Sequence, residues 1–374
     1  MHVVLLVRWP VGGIRTYVRD LVLSDAFQDV RFDIVLPRHA EAEMLAAECS
    51  GREVGWRFFA EDTTTGLVKG LAGLGLKKRY ALLHSHGFTA ASIAAWPMVL
   101  SGTPHLTTAH EVLTPAQFAG ASGFARKCLL SATLPCVGAI HTVTQEARDN
   151  LLQYIPVLRP RAHRLHVITH GIRVERFLQA EVRDLHAELG YSRDTKLIGF
   201  LGRFMEAKGF SVLIDAVARL AGRTASLPPF KVLAAGYGGF IREDRARIEK
   251  LGLTPHFHFL DFVRDTGPTL KGMDLVVMPS LWEASGLLAM ETVVCGTPLV
   301  ASRCIGLRET LSGTPALLVE PANPEALADA IAARLLEDGK AQAKAYVPTA
   351  VQRYDSHQSF ASLRHLYNET ASGA

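Results

Sequence analysis

The chain has 374 residues, 48% of them hydrophobic and 20% charged, with a formal net charge of only +4. That length exceeds one ordinary hydrophobic core and predicts two domains, while the composition excludes a disordered or collagen-like chain. A balance so close to neutral, without aromatic residues interleaved among the basic ones, argues against a nucleic-acid binder.

The start, through Val7, lacks a basic n-region, and its apolar run is too short for a signal peptide. No stretch reaches the roughly 18 apolar residues of a membrane span, so the expectation is a cytoplasmic protein. The five cysteines (Cys49, Cys128, Cys136, Cys295 and Cys304) show no metal-ligand spacing and read as reduced thiols. Basic residues cluster at Lys77-Lys78-Arg79, at Arg126-Lys127 and across 159–164. Each cluster is either a solvated face or, with the apolar stretch 118–134, a point of peripheral contact with an anionic membrane at its inner face.

In chain order, the pattern predicts a buried strand over 3–7, a turn at Gly12-Gly13 and a helix over 14–26. Strand 32–36, helix 40–49, a strand near 56–59, helix 67–76, strand 81–84, helix 89–100 and strand 105–109 follow. Residues 128–140 read as a buried helix running into a strand at 139–143. Such alternation implies a doubly wound parallel sheet, in which ligands bind outside the carboxyl ends of the strands. Three polar segments are placed on that rim: Gly12-Gly13, His84-Ser85-His86-Gly87 and Thr108-Ala109-His110-Glu111.

A hinge between Gly171 and Ala187 leads to a second run of the same pattern. Strand 197–201 is followed by Gly202-Arg203 and Lys208-Gly209, then by a helix with Leu213, Val217 and Leu220 on one face. Strand 230–235 leads to Gly236-Tyr237-Gly238-Gly239 and a charged helix ending at Lys250. Strands at 257–262, 275–278, 299–301 and 316–319, a helix over 324–336 and an amphipathic segment over 357–370 complete the chain.

The chemistry concentrates in 274–302. There a strand breaks at Pro279-Ser280, a loop carries Glu283, and Gly286 opens a helix with Glu291 on its second turn. Free N–H groups at such a helix start suit phosphate or sugar oxygens. Arg203 offers a planar fork and Lys208 a point charge, a combination that can neutralise a diphosphate. No D-x-D triplet occurs, which predicts that no metal is needed. The Gly236-x-Gly238-Gly239 turn lacks the complete dinucleotide fingerprint, which disfavours an oxidoreductase.

Glu283-x(7)-Glu291, set between Pro279-Ser280 and Gly296-Thr297-Pro298, resembles the signature of the retaining, nucleotide-sugar-dependent glycosyltransferases of family 4. The resemblance implies the GT-B architecture: two doubly wound, Rossmann-like α/β domains facing across a cleft. It assigns 1–178 to the acceptor side, 179–352 to the donor and 353–374 to a helix crossing back to the first domain. It gives Glu283 the hydroxyls of the transferred sugar and Glu291 those of the ribose. The backbone at Gly286, Leu287 and Leu288 would line the sugar and phosphate.

Gly12 and Gly13 would approach the diphosphate, Gly202, Arg203, Lys208 and Gly236 would hold the donor, and Val263 would touch the base. His110 matches the family histidine that meets the donor sugar, so the implied catalytic set is His110, Arg203, Lys208 and Glu283. His84, His86 and Glu111 are either acceptor contacts or sheet-edge packing. Partners would be a nucleoside-diphosphate sugar and a saccharide, lipid-linked saccharide or small-molecule hydroxyl, with no nucleic acid and no cofactor. Tyr237, Gly239, Asp261 and Ser285 depart from the family pattern. They keep open a catalytically silent partner of the same fold, beside a nucleotide-sugar epimerase.

Overall fold

The computed structural model describes residues 1–59, 63–74, 80–223, 226–261, 263–337 and 339–373. The cluster Lys77-Lys78-Arg79, the end of the expected helix 67–76 and the last residue of the expected strand 257–262 lie outside them. The chain divides into two compact units: Met1–His170 joined by the segment from Ser356 onward, and Gly171–Asp355.

In the first unit the strands β1 (His2–Val7), β2 (Arg31–Pro37), β3 (Val54–Phe59), β4 (Leu82–His86), β5 (His105–Ala109), β6 (Ala139–Thr142) and β7 (Leu165–Val167) form one parallel sheet. Its order is β3-β2-β1-β4-β5-β6-β7. Val3, Val4, Leu5, Leu6 and Val7 are all fully buried, as a strand covered on both faces requires. The C-terminal helix Ser356–Ser372 belongs to this unit because Phe360, Leu363, Leu366 and Tyr367 insert into the core built by Val3, Leu5, Phe27 and Phe32. The Tyr367 and Phe27 rings meet edge to face, 5.0 Å between centroids.

The second unit holds β8 (Lys196–Leu201), β9 (Phe230–Ala235), β10 (Phe257–Leu260), β11 (Leu275–Met278), β12 (Leu299–Ser302) and β13 (Leu317–Val319), ordered β10-β9-β8-β11-β12-β13. Alternate residues of one strand feed separate cores, as the two-residue period of a strand demands. Leu197 and Leu201 face one core, and Ile198 and Phe200 the other. Ile172, Val174 and Phe177 pack into the first of these, so residues 171–178 belong to the second unit.

Three local differences from expectation have physical causes. The first helix covers Gly13–Leu23, because Ser24 turns extended and its Oγ accepts the Ala26 N–H to start a separate 3-10 turn. β4 continues through His86, so 84–86 form strand rather than rim loop. The helices Gln145–Tyr154 and Gly339–Tyr354 did not emerge from the pattern of apolar residues; the first is fixed by a Thr144 cap, whose Oγ1 accepts the Ala147 N–H. Among the described residues no helix is long and apolar enough to cross a membrane.

In each sheet the order reverses beside one strand, β1 or β8, and connections there leave toward opposite faces. If the C-terminal helix is integral to the first core, Leu363→Ala should lower that unit's unfolding free energy by about 2–5 kcal/mol. The exposed Asn368→Ala should leave it unchanged. Denaturant titration followed by circular dichroism separates the two.

Candidate functional site

In the second unit β8 and β11 run side by side, Leu275 opposite Ile198, and their carboxyl ends release two loops. The β8 loop carries the exposed Arg203, tightens into a 3-10 turn at Glu206–Lys208 and enters the helix Phe210–Ala221. The β11 loop is tied to it where the Leu281 N–H donates to the Ala207 carbonyl at 2.8 Å. Across this junction Lys208 Nζ donates to Glu283 Oε1 at 2.5 Å, and Ser280 Oγ donates to the same oxygen at 3.0 Å. The lysine side chain is 29% exposed and the carboxylate 11%, so the pair is shielded but reachable.

Gly286, at φ 75°, caps the helix Leu287–Val294; a Cβ there would run into the Leu307 side chain. Glu291 lies on the second turn, buried, and accepts from Thr266 Oγ1 at 2.8 Å through Oε2. Gly236 follows β9 at φ 144°, and a Cβ on it would strike the carbonyl of Gly202, so only glycine lets the two turns touch. The structure thus brings together Gly202, Lys208, Gly236, Glu283, Gly286, Leu287, Leu288 and Glu291 around the ends of β8, β9 and β11. Val263 is half-buried beyond β10, two strands from β8. Of the departures, Ser285 is buried with its carbonyl accepting from Thr310 Oγ1 at 2.8 Å, while Tyr237, Gly239 and Asp261 are exposed.

In the first unit Val7 pairs with His86 where β1 and β4 end, and Gly12 caps the helix Gly13–Leu23. Behind that rim the side chains form an ordered hydrogen-bonded chain. His141 Nε2 donates to the Ile168 carbonyl at 2.8 Å, which makes its Nδ1 the acceptor for the Thr108 hydroxyl at 3.0 Å. Thr108 then accepts from His84 Nε2 at 2.7 Å, and His84 Nδ1 accepts from the Tyr367 hydroxyl at 2.6 Å. With both nitrogens engaged and no exposure, His84 packs the sheet interior.

His110, half-buried at the end of β5, places Nε2 3.0 Å from His86 Nδ1. Its ring lies 5.0 Å from that of Tyr17, which in turn stacks on His170 at 4.5 Å. Glu111 is half-exposed and faces Arg126 at 3.6 Å. Burial keeps these imidazoles neutral: it lowers His105 and His170 to about 3 and His141 to about 4. His84, His86 and His110 are pushed well below the usual histidine value by burial first and by neighbouring histidines second. Burial also pushes the Tyr17 phenol up.

Residues 12–171 match the family described as "Glycosyl transferase 4-like domain", and residues 195–338 match "Glycosyl transferases group 1". The chain belongs to the family-4 glycosyltransferases. The D-inositol 3-phosphate glycosyltransferase of Corynebacterium jeikeium is 29% identical over 307 residues, covering 78% of this glycosyltransferase and 72% of that protein. The enzyme of the same name from Corynebacterium urealyticum is 33% identical over 215 residues, 54% of this chain and about half, 51%, of its own length. The structure of Anabaena Alr3699/HepE with UDP-glucose matches over 100% of both chains, at a TM-score of 0.80 and 21% identity, a likeness of fold. The fold is that of the GT-B glycosyltransferases.

The sequence of this glycosyltransferase assigned no hydrogen-bonding or ring-contact role to Ser280, Thr266, Tyr17, Thr108 or Tyr367. Ser280 had a signal in the Pro279-Ser280 pair; Thr266 had none, standing 25 residues from Glu291. The neutral histidines make acid stability a test of the site's packing. Their pKa values are depressed in the folded state, so the unfolded chain takes up protons first as pH falls below about 6.5. Stability is therefore retained above that value and lost below it, by about 1.4 kcal/mol per pH unit for each fully buried histidine, until the folded values near 4 and 3 are reached. The melting temperature of the first unit should fall steeply between pH 6.5 and 4.5, and less steeply in His105→Asn. A midpoint flat across that window would contradict the burial.

Proposed function

We propose that this glycosyltransferase moves a sugar from a nucleoside-diphosphate sugar to a hydroxyl of a saccharide, lipid-linked saccharide or small polyol, with retention at the anomeric carbon and without a metal ion. The observation that carries this reading is the Lys208–Glu283 pair at the strand-order reversal of the second sheet. A cation and a carboxylate are fixed side by side next to a helix start, which suits a ligand with a diphosphate at one end and hydroxyls at the other.

As the bond from the anomeric carbon to the phosphate oxygen breaks, negative charge grows on the departing diphosphate. Lys208 and Arg203 meet that charge, a task otherwise given to a magnesium ion. Glu283, held through Oε1, offers Oε2 to a sugar hydroxyl, and Glu291, oriented by Thr266, meets the ribose hydroxyls. The acceptor oxygen bonds to the anomeric carbon on the face the phosphate leaves, and its proton passes to the departing phosphate oxygen. The polyol phosphate named for the Corynebacterium relatives supports a small hydroxylated acceptor, and the UDP-glucose of the Anabaena complex supports a uridine donor.

The test is UDP release and product anomer, followed by proton NMR, from UDP-glucose with inositol phosphates and oligosaccharides as acceptors. An axial donor linkage should give an axial product, unchanged by EDTA. Lys208→Ala and Glu283→Gln should each lower kcat/KM by about 10²- to 10³-fold. Inversion, loss of turnover in EDTA, or full activity in Lys208→Ala would overturn the reading.

A further inference from the structure

A neutral imidazole has one N–H donor and one acceptor, so what His110 offers a ligand depends on its tautomer. Its Nε2 is engaged by His86 Nδ1 at 3.0 Å, the two rings 20° from parallel. His86 is the last residue of β4, 2% exposed, and its Nε2 is buried with no hydrogen-bond partner among the described residues. The titratable groups around the pair are Tyr17, His84, His141 and His170. His84 and His141 already spend both nitrogens on other partners.

Two arrangements are open to the neutral pair. Were His110 to donate from Nε2, His86 would carry its hydrogen on Nε2, leaving a buried N–H with no acceptor. With His86 donating from Nδ1, the orphan is only a lone pair. Buried orphan donors are the rarer and costlier of the two.

We propose that His86 is a positioning residue: it donates from Nδ1 to His110 Nε2 and thereby holds His110 in the Nδ1–H tautomer, a hydrogen-bond donor toward a sugar hydroxyl or phosphate oxygen. This rests on the reading that His110 meets the donor. It places His86 behind His110 rather than among acceptor contacts. The alternative tautomer would present His110 to the same oxygen as an acceptor, unable to stabilise growing negative charge.

Nitrogen-15 NMR of the imidazole rings in the full-length protein tests the assignment directly. Wild type should show His110 protonated on Nδ1, and His86→Asn, whose amide N–H can stand in for Nδ1–H, should keep it so. His86→Asp, whose carboxylate can only accept, should turn His110 to the Nε2–H form and lower kcat by about tenfold, with a smaller change in donor KM. His86→Asn should recover most of that loss. A residue that only packs would lower the melting temperature in His86→Asp while leaving the tautomer and the kcat-to-KM split alone. An Nε2–H signal at His110 in wild type, or an unchanged tautomer in His86→Asp, would overturn the proposal; should the aspartate variant fail to fold, the wild-type and asparagine spectra decide. Because the ring itself is read, absence of sugar transfer would count against the function and not against this assignment.

Discussion

Lys208 and Glu283 come from loops 75 residues apart in the chain, and their ion pair sits where the order of the second sheet reverses. Much of the local structure serves to bring them there. The β8 and β11 loops are joined by a backbone hydrogen bond, Ser280 braces the carboxylate, and Gly236 lets a third loop come within backbone contact. A shielded pair of this kind is costly to break from one side, since removing either partner leaves the other charge without its counter-ion. In the proposed reaction a diphosphate would change that balance: it would supply new negative charge to Lys208, and the sugar hydroxyls would supply new donors to Glu283. The pair is thus held ready in advance, so that binding redistributes existing interactions instead of ordering loose side chains.

The first unit solves a different problem with the same sheet grammar. Five histidines with little or no exposure stand behind its rim, and each must remain neutral or lose the energy of its burial. Hydrogen bonds arranged in one direction, from Tyr367 through His84 and Thr108 to His141 and the Ile168 carbonyl, leave no polar atom of that chain wanting. The last link comes from the C-terminal helix, 283 residues after His84. The chain's end therefore helps set the polarity of the interior on which His110 rests.

Most strands were legible because parallel sheets write themselves as short apolar runs, and 230–235 and 275–278 fall where those runs predict. The glycine turns after β1, β8 and β9 were visible too, since they carry residues that few other places in a fold require. The two glutamates were recognisable through their spacing and flanking Pro279-Ser280 and Gly296-Thr297-Pro298. What could not be read was anything set by register between distant strands. His86 looked like a loop residue until pairing with Val7 extended β4 through it. Thr266 is an ordinary helix-start residue until the fold sets it against Glu291. The helix Gly339–Tyr354 contains Pro348 and has little apolar periodicity, and is held by contacts such as the Tyr354 hydroxyl on the Thr310 carbonyl.

The most direct measurement of whether the Lys208–Glu283 junction is a diphosphate site is the melting temperature of the purified chain with UDP, GDP, ADP and TDP, each with and without EDTA. At about a hundred times its dissociation constant, a bound nucleotide should stabilise the second unit by about 2.7 kcal/mol. The expected result is stabilisation by one of the four, indifferent to EDTA and lost in Lys208→Ala. Equal stabilisation of the wild type and the alanine variant, or none from any nucleotide, would contradict it.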